Sequence, residues 1–413
     1  MGALTVFGGK KKNNDSDTGI HYRRMGTIIT ISKFLTLLLL LLVVLWGFSF
    51  HTDQINMDNF KYLVNSLTGD NIQVDKYKTI YYDSNEHNKF TLVRGDLAVV
   101  NGSGCTVYGL NGQRKAADSS VKMDNPQVVT GSKYMYIYDL GGNELVIKNA
   151  LETVKTLRYN YAIRDVAATD DGYIAVASSE KTTRSTVFVY DEKYREVYKR
   201  SFGSQYTQTI DLSGDESKLL TASVYANNGV FITELGLYSL KQEDAIATLQ
   251  FKEEYPYKAV FTENGGFMLM TDKCCRFFDG EGKLISTAEF GLTGIDSYGI
   301  NGEGFMRMYS SATMSAEETI ELYDGKSGKL LLTESYEKGI RLARYFDGHL
   351  FVVSDGTLCI TRIEDGEKAY YEVSIDVIEI LPIENTTVFV LTHGTGGDLD
   401  YGKLFNANAE VSE

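Results

Sequence analysis

The chain has 413 residues, 43% hydrophobic and 23% charged, which excludes a disordered polymer and exceeds one small domain. Four Cys and five His exclude a disulfide scaffold and leave little material for a zinc centre. A net charge of −14 argues against a nucleic-acid surface, which needs clustered Lys and Arg.

The charge is divided along the chain. Residues 1–50 hold six cations (Lys10, Lys11, Lys12, Arg23, Arg24, Lys33) against Asp15 and Asp17, a balance of +4, so residues 51–413 sum to −18. Residues 1–26 are polar and predict a disordered cytoplasmic tail. Residues 27–50 predict a transmembrane helix. Its centre, FLTLLLLLLVVLWGFSF from Phe34 to Phe50, is uncharged and reaches about 25 Å, near the lower limit for crossing the hydrocarbon core. Lys33 suits the inner boundary, and Trp46, Phe48 and Phe50 suit the outer one. The run ends WGFSFHTDQ without a small-residue cleavage site, so an uncleaved anchor is expected. Cations before the span place the N-terminus in the cytoplasm and the body outside the cell membrane. Residues 51–71 predict a juxtamembrane helix or linker, with Phe60, Leu63, Val64 and Leu67 at helical spacing.

Residues 72–406 read as a repeat. A Gly or Asn turn joins two strand-like runs at Gly95, Gly131, Gly172, Gly214, Gly265, Gly302, Gly348 and Asn385. The intervals average about 41 residues, the period of four-stranded propeller blades. A second turn follows each first one, as in GLNGQR, FFDGEGKLI and LYDGKSGKLLL. The prediction is an all-β, eight-bladed propeller, with seven blades as the alternative count. The strands of each blade run a to d from the channel outward. The last blade is short of one strand, and the unpaired run Ile72–Tyr82 (IQVDKYKTIYY) is expected to supply its outer strand and close the ring.

The segment LYDGKSGKLLL (Leu322–Leu332), with weaker copies FFDGEGKLI and VYDEKYREV, is similar to the blade motif of pyrroloquinoline-quinone-type (PQQ-like) and WD40-like propellers. The chain as a whole resembles an uncharacterised family of clostridial single-pass membrane proteins with a propeller ectodomain. Quinoprotein blades carry docking tryptophans, whereas the single Trp here is Trp46 in the anchor. The resemblance therefore implies the fold and a binding propeller without a cofactor.

No HExxH, GxSxG, GxxxxGK[ST] or GxGxxG motif occurs, so metalloprotease, hydrolase, P-loop and dinucleotide signatures are absent. His349 and His393 are expected on opposite faces, with His87 before blade 1. Cys274 and Cys275, like Cys105 and Cys359, read as small buried hydrophobes on c strands. DLDYG (Asp398–Gly402) lacks the ligand spacing of a calcium loop. No catalytic, cofactor-binding or metal-binding residue is assigned. The segments SSEKTTRST, YANNG, YSSATMSAEET and THGTGGDLDYG are expected as long b–c loops on one face, the place for binding. The expected function is binding or scaffolding of a protein or cell-envelope ligand. The alternative is an envelope enzyme, a glycan-acting hydrolase or lyase using channel carboxylates. A Tyr-rich face would favour the first, and an inward carboxylate cluster in a deep pocket the second.

Overall fold

A computed structural model describes residues 31–39, 78–84, 87–310, 317–337, 339–384 and 386–405. The chain divides into two units, Met1–Ile72 and Gln73–Glu413. In the first, residues 31–39 form a helix with exposed side chains. No helix among the described residues is long and apolar enough to cross a membrane. The rest of the anchor expected over 27–50, the tail over 1–26 and the juxtamembrane helix over 51–71 lie outside the described residues.

The second unit contains eight four-stranded antiparallel sheets, which decides the blade count in favour of eight. The a strands are Lys89–Val93, Pro126–Thr130, Asp165–Ala168, Tyr206–Leu212, Pro256–Phe261, Ser297–Ile300, Ile340–Phe346 and Glu379–Glu384. The b strands are mostly apolar and buried on both sides along their inner stretch, as in Phe267–Thr271 and Met135–Asp139, because neighbouring blades cover both faces. The outer d strands alternate instead, and Ala245–Lys252 does so at every residue, since only one side meets a neighbour. The core therefore lies between blades. Leu220, Leu235 and Leu237 of blade 4 pack with Phe261, Phe267 and Leu269 of blade 5. Each such side chain contributes about 1.5–3 kcal/mol.

The eighth blade consists of Glu379–Glu384, Thr387–Leu391 and Thr395–Asp400, completed by Ile80–Tyr81 from the other end of the chain. Ile80 pairs with Gly396 and Tyr81 with Thr395. The predicted closing strand is thus present in its last residues; positions 72–77 lie outside the described ones. Ile80 is fully buried, and Tyr82 packs against Phe90 of blade 1.

Three expectations about b–c loops are corrected. SSEKTTRST and YANNG are not loops but extensions of long strands. In blade 4, Lys218–Asn227 and Val230–Ser239 pair along their whole length and are joined by Asn228 and Gly229. Both turn residues have positive φ, 50° and 82°, the left-handed pair that a two-residue hairpin demands. In blade 3 only Lys181 and Thr182 separate Ile174–Glu180 from Thr183–Tyr190. Likewise THGTGGDLDYG supplies the c strand Thr395–Asp400 and then a helical turn over 401–405. Asp400 there accepts from Thr386 and pairs with Lys403. Residues 311–316 of the blade 6 segment and Asn385 lie outside the described residues.

Candidate functional site

A strip of tyrosines and arginines runs across the face that carries the b–c and d–a connections, from blade 3 to blade 6. It begins at Arg184, near the start of the blade 3 c strand, and at Arg164, the last residue before its a strand. Both guanidiniums lie over the ring of Tyr206, at 5.6 and 5.0 Å from its centroid. Tyr255 follows, its hydroxyl donating to Gln208 Oε1 at 2.8 Å. Its ring meets Tyr257 edge-on at 5.8 Å, and Tyr257 meets Tyr298 at 6.4 Å. Tyr206, Tyr255, Tyr257 and Tyr298 are all exposed, Tyr257 by 47%. Tyrosine offers a large, stiff contact area with a polar tip, the composition of protein-binding surfaces.

Irregularities in the sheets position this strip. The a strands of blades 4 and 5 each carry one extra residue near their start. Thr207 and Thr209 pair with Ser223 and Ala222, and Pro256 and Lys258 pair with Thr271 and Met270. The extra residues are Gln208 and Tyr257, both members of the strip. A β-bulge bends its strand and re-aims one side chain, so both blades break the ladder where a strip residue is presented.

The strip leads into a cavity of about 570 Å³ along the a strands of blades 5 to 8, lined by Lys258, Tyr298, Met306, Arg344 and Glu379 among others. Four carboxylates stand on the inner strands, Asp165, Asp211, Glu379 and Glu384, and the first three tie blades together. Asp165 accepts from Val166 N at 3.0 Å and from Ile210 N of the next blade at 2.9 Å. Lys258 reaches past blade 4 to the same carboxylate at 3.3 Å. Asp211 accepts from Phe261 N at 2.7 Å, and Arg344 holds both oxygens of Glu379 at 2.6 and 2.8 Å. Each of these three acids thus ties its own strand to a neighbour. Burial pushes Asp211 up to about 6, opposed by the Phe261 N–H and by Lys258.

The opposite face is built differently. Its a–b turns over blades 3 to 7 carry Asp170, Asp171, Asp215, Glu216, Glu263, Glu303 and Asp347. Several are structural: Glu216 accepts from Thr169 Oγ1 of the preceding blade, and Glu303 accepts from Asp347 N and Gly348 N of the next. His349 belongs to this face, beside Tyr401 and Phe405. His393 lies in the b–c turn of blade 8, so the two histidines are on opposite faces as expected.

The cysteines stand on c strands and form no disulfide. Cys274 and Cys275 are fully buried. Burial pushes Cys274 up to about 11 and Cys275 well above its ordinary value, so neither is a poised thiolate. Beside them Arg276 holds Glu254 through two bonds of 2.6 and 2.8 Å. Among the described residues no group of three His, Cys, Asp or Glu is placed to hold a metal ion.

The Tyr–Arg strip was not found from the sequence. Its members come from four blades and are far apart in sequence, so only the ring assembles them.

The chain belongs to a family of unknown function, DUF5711, whose sequence profile matches residues 70–396. No curated protein matches it. Among solved structures it is similar to BamB from Moraxella catarrhalis, with 12% identity over 78% of this chain and 96% of that one and a TM-score of 0.50. Sqt1 of Saccharomyces cerevisiae gives 10% identity, 78% and 98% coverage and a TM-score of 0.56. The C-terminal WD40 domain of Sif2 gives 14%, 77% and 97%, and 0.51. At such identity the likeness is one of fold: a β-propeller of the BamB and WD40 type.

Proposed function

We propose that this DUF5711 propeller is a binding and scaffolding module, tethered to the cell membrane by residues 27–50 and facing the extracytoplasmic side. In this reading the Tyr–Arg strip holds a protein partner of the cell envelope. The observation that carries it is the strip itself: contacting, exposed aromatic rings from adjacent blades, presented by bulges at the mouth of a rigid ring. The tether is supported by the uncharged run Phe34–Phe50 and the cations before it. The glycan-acting alternative needs a carboxylate pair at liberty for proton transfer. Asp165, Asp211 and Glu379 are instead engaged by backbone N–H groups, Lys258 and Arg344, which supports the binding reading.

The test is photo-cross-linking in the native membrane from a reactive residue placed at position 257. It should capture a discrete protein, while the same probe at Ile246 on the outer rim should not. Equal capture from both positions would refute the assignment of the face. Protease added to intact protoplasts should digest the propeller, and protection of residues 78–405 would refute the topology.

A further inference from the structure

Arg164 and Arg184 are anomalous in so acidic a body. Residues 51–413 sum to −18, yet neither guanidinium forms an ion pair among the described residues. Arg164 donates to Ser185 Oγ at 2.9 Å and otherwise faces the Tyr206 ring. Burial lowers its pKa, the mark of a charge held partly out of water. Arg184 is exposed over the same ring. The nearby acids are engaged elsewhere: Glu234 accepts from Gln205 and Gln250, Asp272 from Tyr255 N, and Glu180 pairs with Lys199. The tight turn of the blade 3 hairpin adds exposed Lys181 beside this pair.

We infer that Arg164 and Arg184, stacked on Tyr206, form a carboxylate clamp that reads an acidic peptide segment lying along the Tyr255–Tyr257–Tyr298 strip. The inference rests on the proposed binding role of that strip. Guanidinium forks match carboxylates in pairs of hydrogen bonds, and a ring beneath them holds the forks in place. Two arginines on a strongly anionic body suit one or two carboxylates on a short segment. They do not suit a polyanion, whose remaining charges the body would repel. The exposed rings alongside provide area for peptide side chains and hydroxyl groups for its backbone.

The test uses the full-length protein in detergent and fluorescence anisotropy with two labelled octapeptide pools amidated at the C-terminus. One pool carries two fixed glutamates among otherwise degenerate uncharged positions; the other carries glutamine in their place. The glutamate pool is expected to bind about tenfold more tightly, the effect of one charge-assisted contact. Arg184→Gln and Arg164→Gln should each weaken it about tenfold and leave the glutamine pool unchanged. Arg184→Gln should keep the wild-type melting temperature. If Arg164→Gln fails to fold, Arg164→Lys, which keeps the charge and loses the fork, should give an intermediate loss. Equal affinity for the two pools, or no effect of Arg184→Gln, would overturn the clamp. Failure of both pools, with cross-linking from position 257 intact, would overturn the clamp and leave the strip standing. Loss of that cross-link as well would remove the strip. Arginine-dependent binding of phosphatidylglycerol vesicles, with neither pool bound, would assign the pair to a lipid headgroup and overturn the peptide reading.

Discussion

Closure of the ring through Ile80 and Tyr82 gives a sharp prediction. Ile80 is fully buried in a cluster with Leu97 and Val99 of blade 1 and Phe389 and Leu391 of blade 8. Ile80→Ala should cost about 2–5 kcal/mol, the range for large-to-small changes in a core. The Tyr82 hydroxyl lies 2.7 Å from both Thr392 O and Thr395 O. Thr395 O keeps the Thr392 N–H at 2.8 Å, so Tyr82→Phe leaves chiefly one carbonyl unsatisfied, a cost of about 1–3 kcal/mol. Both side chains share one cluster, so the double variant should lose less than the sum. Even so, that loss is a large part of a typical total stability of about 5–15 kcal/mol. Urea denaturation of the full-length protein, followed by far-ultraviolet circular dichroism, reads the change. A double variant within about 1 kcal/mol of wild type, the ordinary size of a neutral substitution, would show that the ring closes without this strand.

Asp211 makes stability depend on pH with an unusual sign. Its folded pKa of about 6 lies above the ordinary carboxylate value, so the ionised fold is penalised at high pH. The penalty vanishes as pH falls below the unfolded value. Asp211→Asn should therefore raise the melting temperature at pH 7.5, by at most about 3 kcal/mol of stability, and leave it nearly unchanged at about pH 3. Of its charged neighbours Lys258 opposes the rise and Asp165 adds to it, and an equal shift at both pH values would refute the assignment. The four cysteines are buried, and burial pushes the Cys105 and Cys274 thiols up to about 12 and 11. Iodoacetamide should therefore label none of them in the native protein and all four in urea; native labelling of Cys274 would contradict the packing.

Much of the architecture is legible before folding. Glycine turns recur at blade spacing because every a–b connection needs a tight reversal. Gly95, Gly172, Gly265 and Gly348 do adopt positive φ. The closing strand is legible because Ile72–Tyr82 has strand character and no local partner. The b–c segments mislead because Ser, Thr and Asn over SSEKTTRST resemble a loop, whereas pairing across the hairpin extends the strands through them. Thr186 and Ser201 even hydrogen-bond across that sheet. The Asn-Gly pair in YANNG was the available signal for a two-residue turn. THGTGGDLDYG misleads for the related reason that its glycines stand within a strand; Gly396 has no room for a Cβ against Leu391. Channel contacts were beyond reach, since Lys258 and Asp165 meet across 93 positions.

The two faces of the ring use their polar groups for different ends. On the a–b side the acids are spent within the fold: Glu216 and Glu303 tie turns of adjacent blades together, and Asp215 accepts from Ser213, Ser217 and its own turn backbone. Hydrogen bonds to these oxygens keep Asp215 below its ordinary value, so its charge is satisfied where it stands. On the b–c side the bulges at Gln208 and Tyr257 interrupt the ladder, and the contacts these residues make across blades, with Tyr255 and Tyr298, lie on the exposed surface. A fold under selection for stability alone gains little from such a bulge, which forfeits regular pairing. It gains nothing either from arginines set on a ring with no carboxylate beside them, since a guanidinium held partly out of water costs free energy until it is paired. Both costs fall on adjacent blades at the same mouth of the ring, the arginines on blade 3 and the bulges on the a strands of blades 4 and 5. They would be recovered together if a second molecule brought carboxylates and apolar side chains to that mouth, which is why binding is proposed for this face of the propeller and not for the acidic one.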